Sequence, residues 1–230
     1  MGNSYFHFRQ FSVCQSECAM KVGTDGVLLG AWACVPHKSC SQSRILDIGT
    51  GTGVIALIMA QRHLNALVTG IDIDAKAVAQ AASNAAASPF AARITMCHVD
   101  AAKMEEGSFD AIVCNPPFFS NSLQCPDPRR SMARHDDTLP PRILMQCASR
   151  LLAEDGVLSV VVPSDLAGHM ESEAVLAGFF KSRVCHVRTA AHKPVRRCLL
   201  TFTRHPVKLE KTELTIGDEA YIELTKELYL

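Results

Sequence analysis

The residues most suggestive of chemistry are Asn115, Pro116, Pro117 and Phe118, which follow an apolar run from Phe109 to Cys114. The two prolines fix φ and favour extended geometry in the residue before them, so the turn orients Asn115. The Asn115 amide oxygen and the Pro116 carbonyl can accept both hydrogens of one planar amino group. Such bonding aims the nitrogen lone pair at an electrophile, while Phe118 offers a ring face for stacking. The alternative is a plain turn with an aromatic residue packed beneath it.

A glycine-rich segment lies upstream, between Arg44 and Val54. The apolar run from Ile45 to Ile48 predicts a buried strand, and the run from Val54 to Gln61 predicts a helix. The turn between them contains Gly49, Gly51 and Gly53. Glycines let a ligand approach the backbone, and the free N–H groups that open the helix point into the same space. This segment therefore predicts a site for a nucleotide-like ligand.

The glycine spacing and an acidic neighbour distinguish between possible ligands. Dinucleotide-binding loops read G-x-G-x-x-G, whereas this loop reads G-x-G-x-G, with Asp47 two residues before the first glycine. A carboxylate at that position would repel a pyrophosphate and would suit a cation. S-adenosylmethionine carries an ammonium and a sulfonium, and the loop resembles motif I of class I methyltransferases. An ordinary Gly-rich turn remains the alternative.

Further carboxylates follow the next predicted strands. Asp72 follows the strand 66–71, where a carboxylate holds a ribose diol in nucleotide-binding folds. Asp100 follows the strand 93–98 and either accepts a bond from an adenine amino group or caps a helix. Asp74 is expected to cap the helix that follows it. These positions predict a ligand crevice at one edge of the sheet.

The elements that position these residues alternate between strands and helices, which predicts a parallel α/β sheet. Further helices are expected at 27–33, 75–87, 142–154, 165–180 and 216–230, and further strands at 109–114, 157–162, 183–188 and 198–203. The last two strands form a hairpin-like pair, which indicates one antiparallel strand. The closing helix is expected to bury Ile222, Leu224, Leu228 and Tyr229.

The N-terminal segment contains two further features. Alternating Phe6 and Phe8 predict a short strand in an edge hairpin. Thr24 or Asp25 could cap the helix that starts at position 27. Lys21 and Asp25 are the charged residues of an otherwise apolar stretch, and they are either surface and cap residues or neighbours of the ligand.

Composition limits the class of protein. The 230 residues suit one domain, 48% are hydrophobic, and the formal net charge is zero. We see no signal peptide, and the longest apolar run, 157–162, is too short to span a bilayer. The ten cysteines include no C-x-x-C pair, so we expect reduced thiols and no metal site. We therefore expect a cytoplasmic protein without a membrane partner.

Three motifs together, D-I-G-T-G-T-G, I-D-I-D and N-P-P-F, resemble the S-adenosylmethionine-dependent amino-methyltransferases. The stretch from Cys18 to Ala33, A-R-H-D-D, H-K-P-V-R-R and the C-terminal L-T-K-E-L-Y-L resemble the tRNA1(Val) adenine-37 N6-methyltransferase family. The resemblance implies a Rossmann-like class I fold: a seven-stranded, mostly parallel sheet with one antiparallel strand and helices on both faces. It would span 1–230 as a single domain, with 1–40 as an extension covering the cofactor site.

The resemblance also assigns roles to residues. The residues expected to bind S-adenosylmethionine are Lys21, Thr24, Asp47, Gly49, Gly51, Gly53, Asp72, Ile73, Asp100, Ala101 and Asn115. The residues expected to hold the flipped adenine are Asn115, Pro116, Pro117 and Phe118. We expect catalysis by alignment alone, without a metal.

An RNA substrate has partial support from charge. Between Arg183 and Lys211 lie eight basic residues (183, 188, 193, 196, 197, 204, 208, 211) and one acid, Glu210. A neutral protein can still bind a polyanion through one basic region, although a solvated strand edge has a similar composition. The residues expected to contact RNA are Arg130, Arg134, His135, Lys193, Arg196 and Arg197, and Arg129 adjoins them.

Other functions stay open at this point. The same motif would suit a protein glutamine or the N2 amine of guanine in ribosomal RNA, because each presents paired hydrogens on a planar nitrogen. A non-catalytic subunit with a cofactor-like fold is a further alternative, against which the intact motifs argue. The expected substrate is tRNA and the expected oligomeric state is a monomer.

Overall fold

The structure is a computed structural model that describes residues 4–18, 20–37, 42–105, 107–117 and 139–229. The strands are β1 (Tyr5–His7), β2 (Ser12–Cys14), β3 (Ser43–Ile48), β4 (Ala66–Asp72), β5 (Ile94–His98), β6 (Phe109–Cys114), β7 (Leu152–Pro163), β8 (Phe180–Arg188), β9 (Val195–Thr203) and β10 (Glu210–Thr215). The helices are α1 (Thr24–Trp32), α2 (Val54–Arg62), α3 (Ala75–Ala86), α4 (Pro141–Leu151), α5 (Ala167–Leu176) and α6 (Glu219–Thr225), with 3-10 turns at Ala91–Arg93 and Ala101–Lys103.

Eight strands form the central sheet, in the order β10-β8-β9-β7-β6-β3-β4-β5. Neighbouring strands are parallel except at β9, which is antiparallel to both β7 and β8. From β3 the chain moves outward to β4 and β5, and then returns to β6 on the other side of β3. Open α/β sheets bind ligands where the strand order reverses in this way, at the carboxyl ends of the strands. The crevice beside β3 and β6 is therefore the expected ligand site.

The predicted fold class is confirmed, with one strand more than expected. β10 pairs in parallel with β8 at the edge of the sheet, and Leu214 is its one buried residue. Its sequence, E-K-T-E-L-T, has too few apolar residues to signal a strand. The predicted closing helix, 216–230, is wrong at both ends, because α6 covers Glu219–Thr225. Its predicted buried side is wrong at Ile222, which is 58% exposed, whereas Leu228 is buried.

Helices cover both faces of the sheet. On one face, α1 and α2 pack together in a core that also includes Phe8, Phe11 and Val13 of the N-terminal hairpin. On the opposite face, α4 and α5 bury a second apolar cluster against β6 and β7. The predicted hairpin is confirmed as the antiparallel pair β1–β2. Its position next to α3 brings the N-terminal segment close to the glycine turn.

Candidate active site

The turn between β3 and α2, which we call the glycine loop (49–53), has the backbone geometry that its glycines predicted. Gly49, Gly51 and Gly53 all have positive φ, at 70°, 54° and 81°. Residues that carry a side chain rarely adopt positive φ, so this conformation requires glycine. A Cβ at Gly49 or Gly51 would meet no atom within 4 Å, so the loop faces open space on that side. A ligand can therefore approach its backbone.

Asp47 lies beneath the glycine loop and is fully buried. Its Oδ2 accepts bonds from the Thr50 hydroxyl at 2.7 Å and from the Ala56 N–H at 3.1 Å. Its Oδ1 is buried and has no hydrogen-bond partner within the described part of the chain. Burial raises the pKa of Asp47 to about 7. The carboxylate therefore fixes the loop and retains an acceptor that a cationic group could use.

The raised pKa gives a testable dependence of stability on pH. Because folding raises the Asp47 pKa from 3.8 to about 7, its contribution to stability is complete below pH 4 and is lost as pH rises through 7. Asp47→Asn keeps an acceptor for Thr50 and Ala56 but does not titrate. We expect the ligand-free wild type to lose stability relative to this variant between pH 4 and 7, by at most about 1.4 kcal/mol per pH unit. Urea unfolding of both proteins across this range measures the difference, and parallel curves would contradict it.

Asp72 lies at the end of β4, beside the glycine loop. Its Oδ2 accepts from the Gly51 N–H at 2.9 Å, and its Oδ1 accepts from the Asp74 N–H at 3.0 Å. Each carboxylate oxygen has a second lone pair, so both can still accept bonds from the two hydroxyls of a ribose. The predicted proximity of Asp72 to the loop is confirmed. Asp74 caps α3 by accepting from the Lys76 N–H at 2.9 Å, as predicted.

The residues after β4 and β5 add an exposed apolar side chain and another carboxylate to this edge. Ile73 is 54% exposed directly after Asp72, and its carbonyl bonds to the His98 ring at 2.9 Å. Asp100 accepts from the Ala102 N–H at 2.9 Å and caps the 3-10 turn that begins at the buried Ala101. The cap interpretation of Asp100 is thus confirmed, and its contact with an adenine stays a prediction. Ile73 therefore gives this edge of the sheet an exposed apolar surface, and its contact with the cofactor stays a prediction.

Asn115 follows β6 at the same edge, on the opposite side of β3 from Asp72. Asn115 is half-buried and Pro116 is buried. A Cβ built at Gly26 of α1 would lie 3.9 Å from Asn115 Nδ2 and 3.5 Å from Val54 Cγ1. The first turn of α1 therefore lies beside both the Asn115 amide and the start of α2. Phe118, Arg129, Arg130, Arg134 and His135 lie outside the described residues.

The start of α1 corrects one prediction. The helix begins at Thr24, and its N-cap is Gly23 without a side-chain bond, so neither Thr24 nor Asp25 is the cap. Asp25 instead accepts a bond from Arg197 Nε of β9 at 2.7 Å. Lys21 and Thr24 are exposed beside this turn. Their role beside the ligand stays a prediction.

The predicted basic region divides into separate groups. Arg183 pairs with Glu210, Arg188 with Glu213, and Arg197 with Asp25. Arg204 donates to the Ser149 and Leu152 carbonyls at the end of α4. Lys208 and Lys211 lie at the start of β10, away from the edge that carries Asn115. The basic residues between 183 and 211 therefore do not form one continuous face, and the predicted RNA contacts among them stay predictions.

Lys193 and Arg196 differ from the other predicted RNA contacts. Both are exposed, Lys193 in the turn before β9 and Arg196 near the start of β9, and neither forms an ion pair with another described residue. Pro163, at the carboxyl end of β7, pairs with Arg197, so this turn lies at the same edge as Asn115. β9 is two strands from β6, about 10 Å across the sheet. The two cations are therefore near the substrate side of the crevice.

Asn84 links the N-terminal hairpin to the glycine loop, although the sequence did not indicate this role. It is buried in α3, exchanges two bonds with the Cys14 backbone at 2.8 and 2.9 Å, and donates to the Thr52 carbonyl at 2.9 Å. Its one signal is an amide side chain in a helix made largely of alanine. The hairpin is thus fixed to the loop through a buried hydrogen-bond network.

Two other kinds of feature are absent from the described part of the chain. Its residues include no group of three or more His, Cys, Asp or Glu able to hold a metal ion. None of its helices has the length and apolarity to cross a membrane. The eight described cysteines are free thiols, four of them buried, and Cys40 and Cys125 lie outside the described residues.

Comparison with known proteins identifies the family. Residues 30–193 match the methyltransferase small domain family. The chain is 46% identical to the tRNA1(Val) (adenine(37)-N6)-methyltransferase of Phocaeicola vulgatus, over all of this chain and 99% of the relative. The protein of the same name from Vibrio campbellii is 39% identical, over 98% of this chain and 95% of the relative.

Solved structures with little sequence similarity share the fold. One from Agrobacterium tumefaciens, described as a predicted O-methyltransferase, gives a TM-score of 0.65 at 17% identity, covering 89% of this chain and 96% of that one. TrmN from Thermus thermophilus gives 0.53 at 22% identity, covering 72% and 45%.

Proposed function

The chain belongs to the tRNA1(Val) (adenine(37)-N6)-methyltransferase family within the methyltransferase small domain family, and we propose that it methylates N6 of adenine 37 in tRNA1(Val). S-adenosylmethionine is the methyl donor of this family and supplies an electrophilic methyl group on a positively charged sulfur. The observation that carries the proposal is that Asn115 and the glycine loop follow adjacent strands, β6 and β3, at one edge of the sheet.

The cofactor half of the proposed site uses groups from β3, β4 and β5. Asp72 would accept bonds from the ribose hydroxyls while its contact with Gly51 holds the loop in place. The free lone pairs of Asp47 would face the cationic part of the donor. Ile73 would cover one face of the adenine, and Asp100 with Ala101 would recognise its edge. We propose that Lys21 and Thr24 line the same pocket.

The substrate half of the proposed site is built from the turn after β6. The Asn115 amide oxygen and the Pro116 carbonyl would accept the two N6 hydrogens, with Pro117 fixing the turn and Phe118 stacking on the base. This bonding orients the nitrogen lone pair toward the donor. Asn115 and Pro116 would hold the amine for attack on the methyl group that S-adenosylmethionine would supply; the sulfur–methyl bond would break as the nitrogen–methyl bond formed, and the amine would release one proton to water. Catalysis rests on alignment, which can lower barriers by several kcal/mol.

The RNA contacts are proposed at two places. Lys193 and Arg196 are exposed at the edge that carries Asn115, where they can reach phosphates beside a flipped base. Arg130, Arg134 and His135 follow Phe118 in the chain and are proposed as further contacts. Each phosphate contact should add to the salt dependence of binding. We propose that the protein acts on tRNA in the cytoplasm, as a single-domain monomer without a metal.

The N-terminal residues 1–40 are proposed to cover the cofactor site. The Asn84 network, which joins Cys14 to Thr52 of the glycine loop, supports this arrangement. The bond from the Val22 N–H to the Gln15 side chain at 2.8 Å ties the hairpin to the segment before α1.

A substrate panel distinguishes the proposed function from its alternatives. The protein is incubated with methyl-labelled S-adenosylmethionine and one of three acceptors: tRNA1(Val) transcript, ribosomal RNA, or a glutamine-containing peptide. We expect label in the tRNA alone, because the exposed cations favour a polyanion and the tRNA relatives span the whole chain. Label in the peptide or in a guanine of ribosomal RNA would show that the proposed substrate is wrong. No label with any acceptor, together with tight cofactor binding, would favour a non-catalytic subunit.

A further inference from the structure

The wall beside Asn115 is the first turn of α1, which has little intrinsic stability. α1 has nine residues, including Gly26 and Gly30, and each glycine disfavours a helix by about 1 kcal/mol relative to alanine. Its N-cap, Gly23, provides no side-chain bond to the free N–H groups. The position of this turn therefore depends on contacts from outside the helix.

The C-terminal end of α1 is held by two arginines. Arg62 of α2 donates to the Gly30 and Ala33 carbonyls, both at 2.7 Å. Arg183 of β8 lies over the Trp32 ring, 4.3 Å from its centroid, and also donates to the Trp32 carbonyl. These contacts fix the end of the helix that is distant from Asn115. At the other end, Val27 and Leu28 are buried in the core, and the polar side of the first turn is held separately.

One ion pair ties the first turn to the sheet. Arg197 Nε of β9 donates to Asp25 Oδ2 at 2.7 Å, and the two side chains are 37% and 29% exposed. Arg197 Nη1 also donates to the Arg196 carbonyl at 3.0 Å, which orients the guanidinium. β9 pairs with β7, and β7 pairs with β6, which leads to Asn115. The first turn of α1 is therefore linked to the sheet at two places: it lies beside Asn115 after β6, and the ion pair connects it to β9.

We propose that Asp25 and Arg197 form a positioning pair, which holds the first turn of α1 against Asn115 and sets the orientation of its amide for methyl transfer. The inference rests on the proposed function. Gly26 is adjacent to Asp25 and lies against both Asn115 and Val54, so a shift of this turn would free the Asn115 side chain. Misplacement of a reacting group by about 1 Å can reduce a rate by about 100-fold.

The same geometry gives the adjacent residues Arg196 and Arg197 different roles. The charge of Arg197 faces Asp25, whereas Arg196 is exposed and forms no ion pair with another described residue. Arg196 is therefore a candidate phosphate contact, and Arg197 acts through Asn115. This assignment revises the expectation that both arginines bind RNA.

The experiment compares Arg196→Ala, Arg197→Ala and Asp25→Asn, with Glu213→Gln as a matched control. Glu213→Gln disrupts another partly exposed ion pair of the same sheet, Arg188–Glu213, which links β8 and β10. Steady-state kinetics with tRNA, the salt dependence of tRNA binding, cofactor affinity and melting temperature are measured for each. Asp25→Asn preserves the shape of the side chain, so it should fold even if Arg197→Ala does not.

Arg197→Ala and Asp25→Asn should each lower kcat by about ten-fold or more, with an unchanged salt slope. Arg196→Ala should make the slope of log K against log salt shallower by about one. Glu213→Gln should match the wild type in kcat. Exchange of the charges in Asp25→Arg/Arg197→Asp should recover part of the lost kcat.

Two results would overturn the positioning role. If Arg197→Ala leaves kcat unchanged and makes the salt slope shallower, Arg197 contacts phosphate. If Glu213→Gln lowers kcat as much as Asp25→Asn, the effect reflects general loss of stability. Both comparisons require an active wild type; a wild type without transfer to tRNA would instead contradict the proposed function.

Discussion

Asn115→Ala is expected to lower kcat by roughly 100- to 1000-fold, the loss seen when one preorganised hydrogen-bonding group is removed from an active site. The amide oxygen acts on the target amine and should matter most in the transition state. The loss should therefore appear in both kcat and kcat/KM. The dissociation constant for S-adenosylmethionine should change much less, because most of the proposed cofactor contacts lie on or directly after β3, β4 and β5. Single-turnover kinetics and calorimetry on one preparation measure the two quantities.

Asn115→Asp is the matched variant for this prediction. It keeps an acceptor of similar shape and should retain more activity than Asn115→Ala. The side chain is half-buried, so melting temperature must be measured for both. A folded Asn115→Ala protein with nearly wild-type kcat would show that Asn115 serves the turn alone.

Asp72→Ala is expected to weaken S-adenosylmethionine binding by about 1.5–3 kcal/mol, the range for a hydrogen bond to a charged group, or roughly 10- to 150-fold. The carboxylate also holds the Gly51 N–H, so its removal loosens the loop that faces the cofactor. Asp72→Asn retains one acceptor and should lose less affinity. Calorimetry with S-adenosylmethionine measures each variant.

Asp74→Ala controls for damage to α3. Asp74 caps that helix through the Lys76 N–H, and its removal should cost about 1 kcal/mol of stability with little change in cofactor affinity. Equal affinity losses in Asp72→Ala and Asp74→Ala would mean that the strand end as a whole, and not the Asp72 carboxylate, supports the site. Tight binding of NAD without binding of S-adenosylmethionine would contradict the cofactor assignment.

The local features of the site could be predicted from sequence because each depends on residues close together in the chain. The glycine loop needs positive φ at three alternating positions, and only glycine adopts that geometry without strain. Asp72 and Asn115 directly follow apolar strands, and the carboxyl ends of parallel strands share one edge. The hydrophobic periodicity and the spacing of these residues were therefore sufficient to predict that they lie at one edge of the sheet.

The features that were missed depend on tertiary contacts. β10 has a largely polar sequence and becomes a strand because β8 offers an unpaired edge. Asp25 and Arg197 are 172 residues apart, so nothing in either local sequence indicates their ion pair. Each residue had a plausible local role, as a helix cap or as an RNA contact. The ion pair between them forms only in the folded protein, so counting charges along the chain could not detect it.

The measurement that tests the account most directly is the position and identity of the methyl group on tRNA. Unmodified tRNA1(Val) is incubated with the protein and labelled S-adenosylmethionine, digested with a base-specific nuclease, and analysed by mass spectrometry. The account predicts N6-methyladenosine at position 37 with the wild type, none with Asn115→Ala, and none when adenine 37 is replaced by guanine. Methylation at another nucleotide, or equal labelling of the adenine-37 and guanine-37 transcripts, would contradict it.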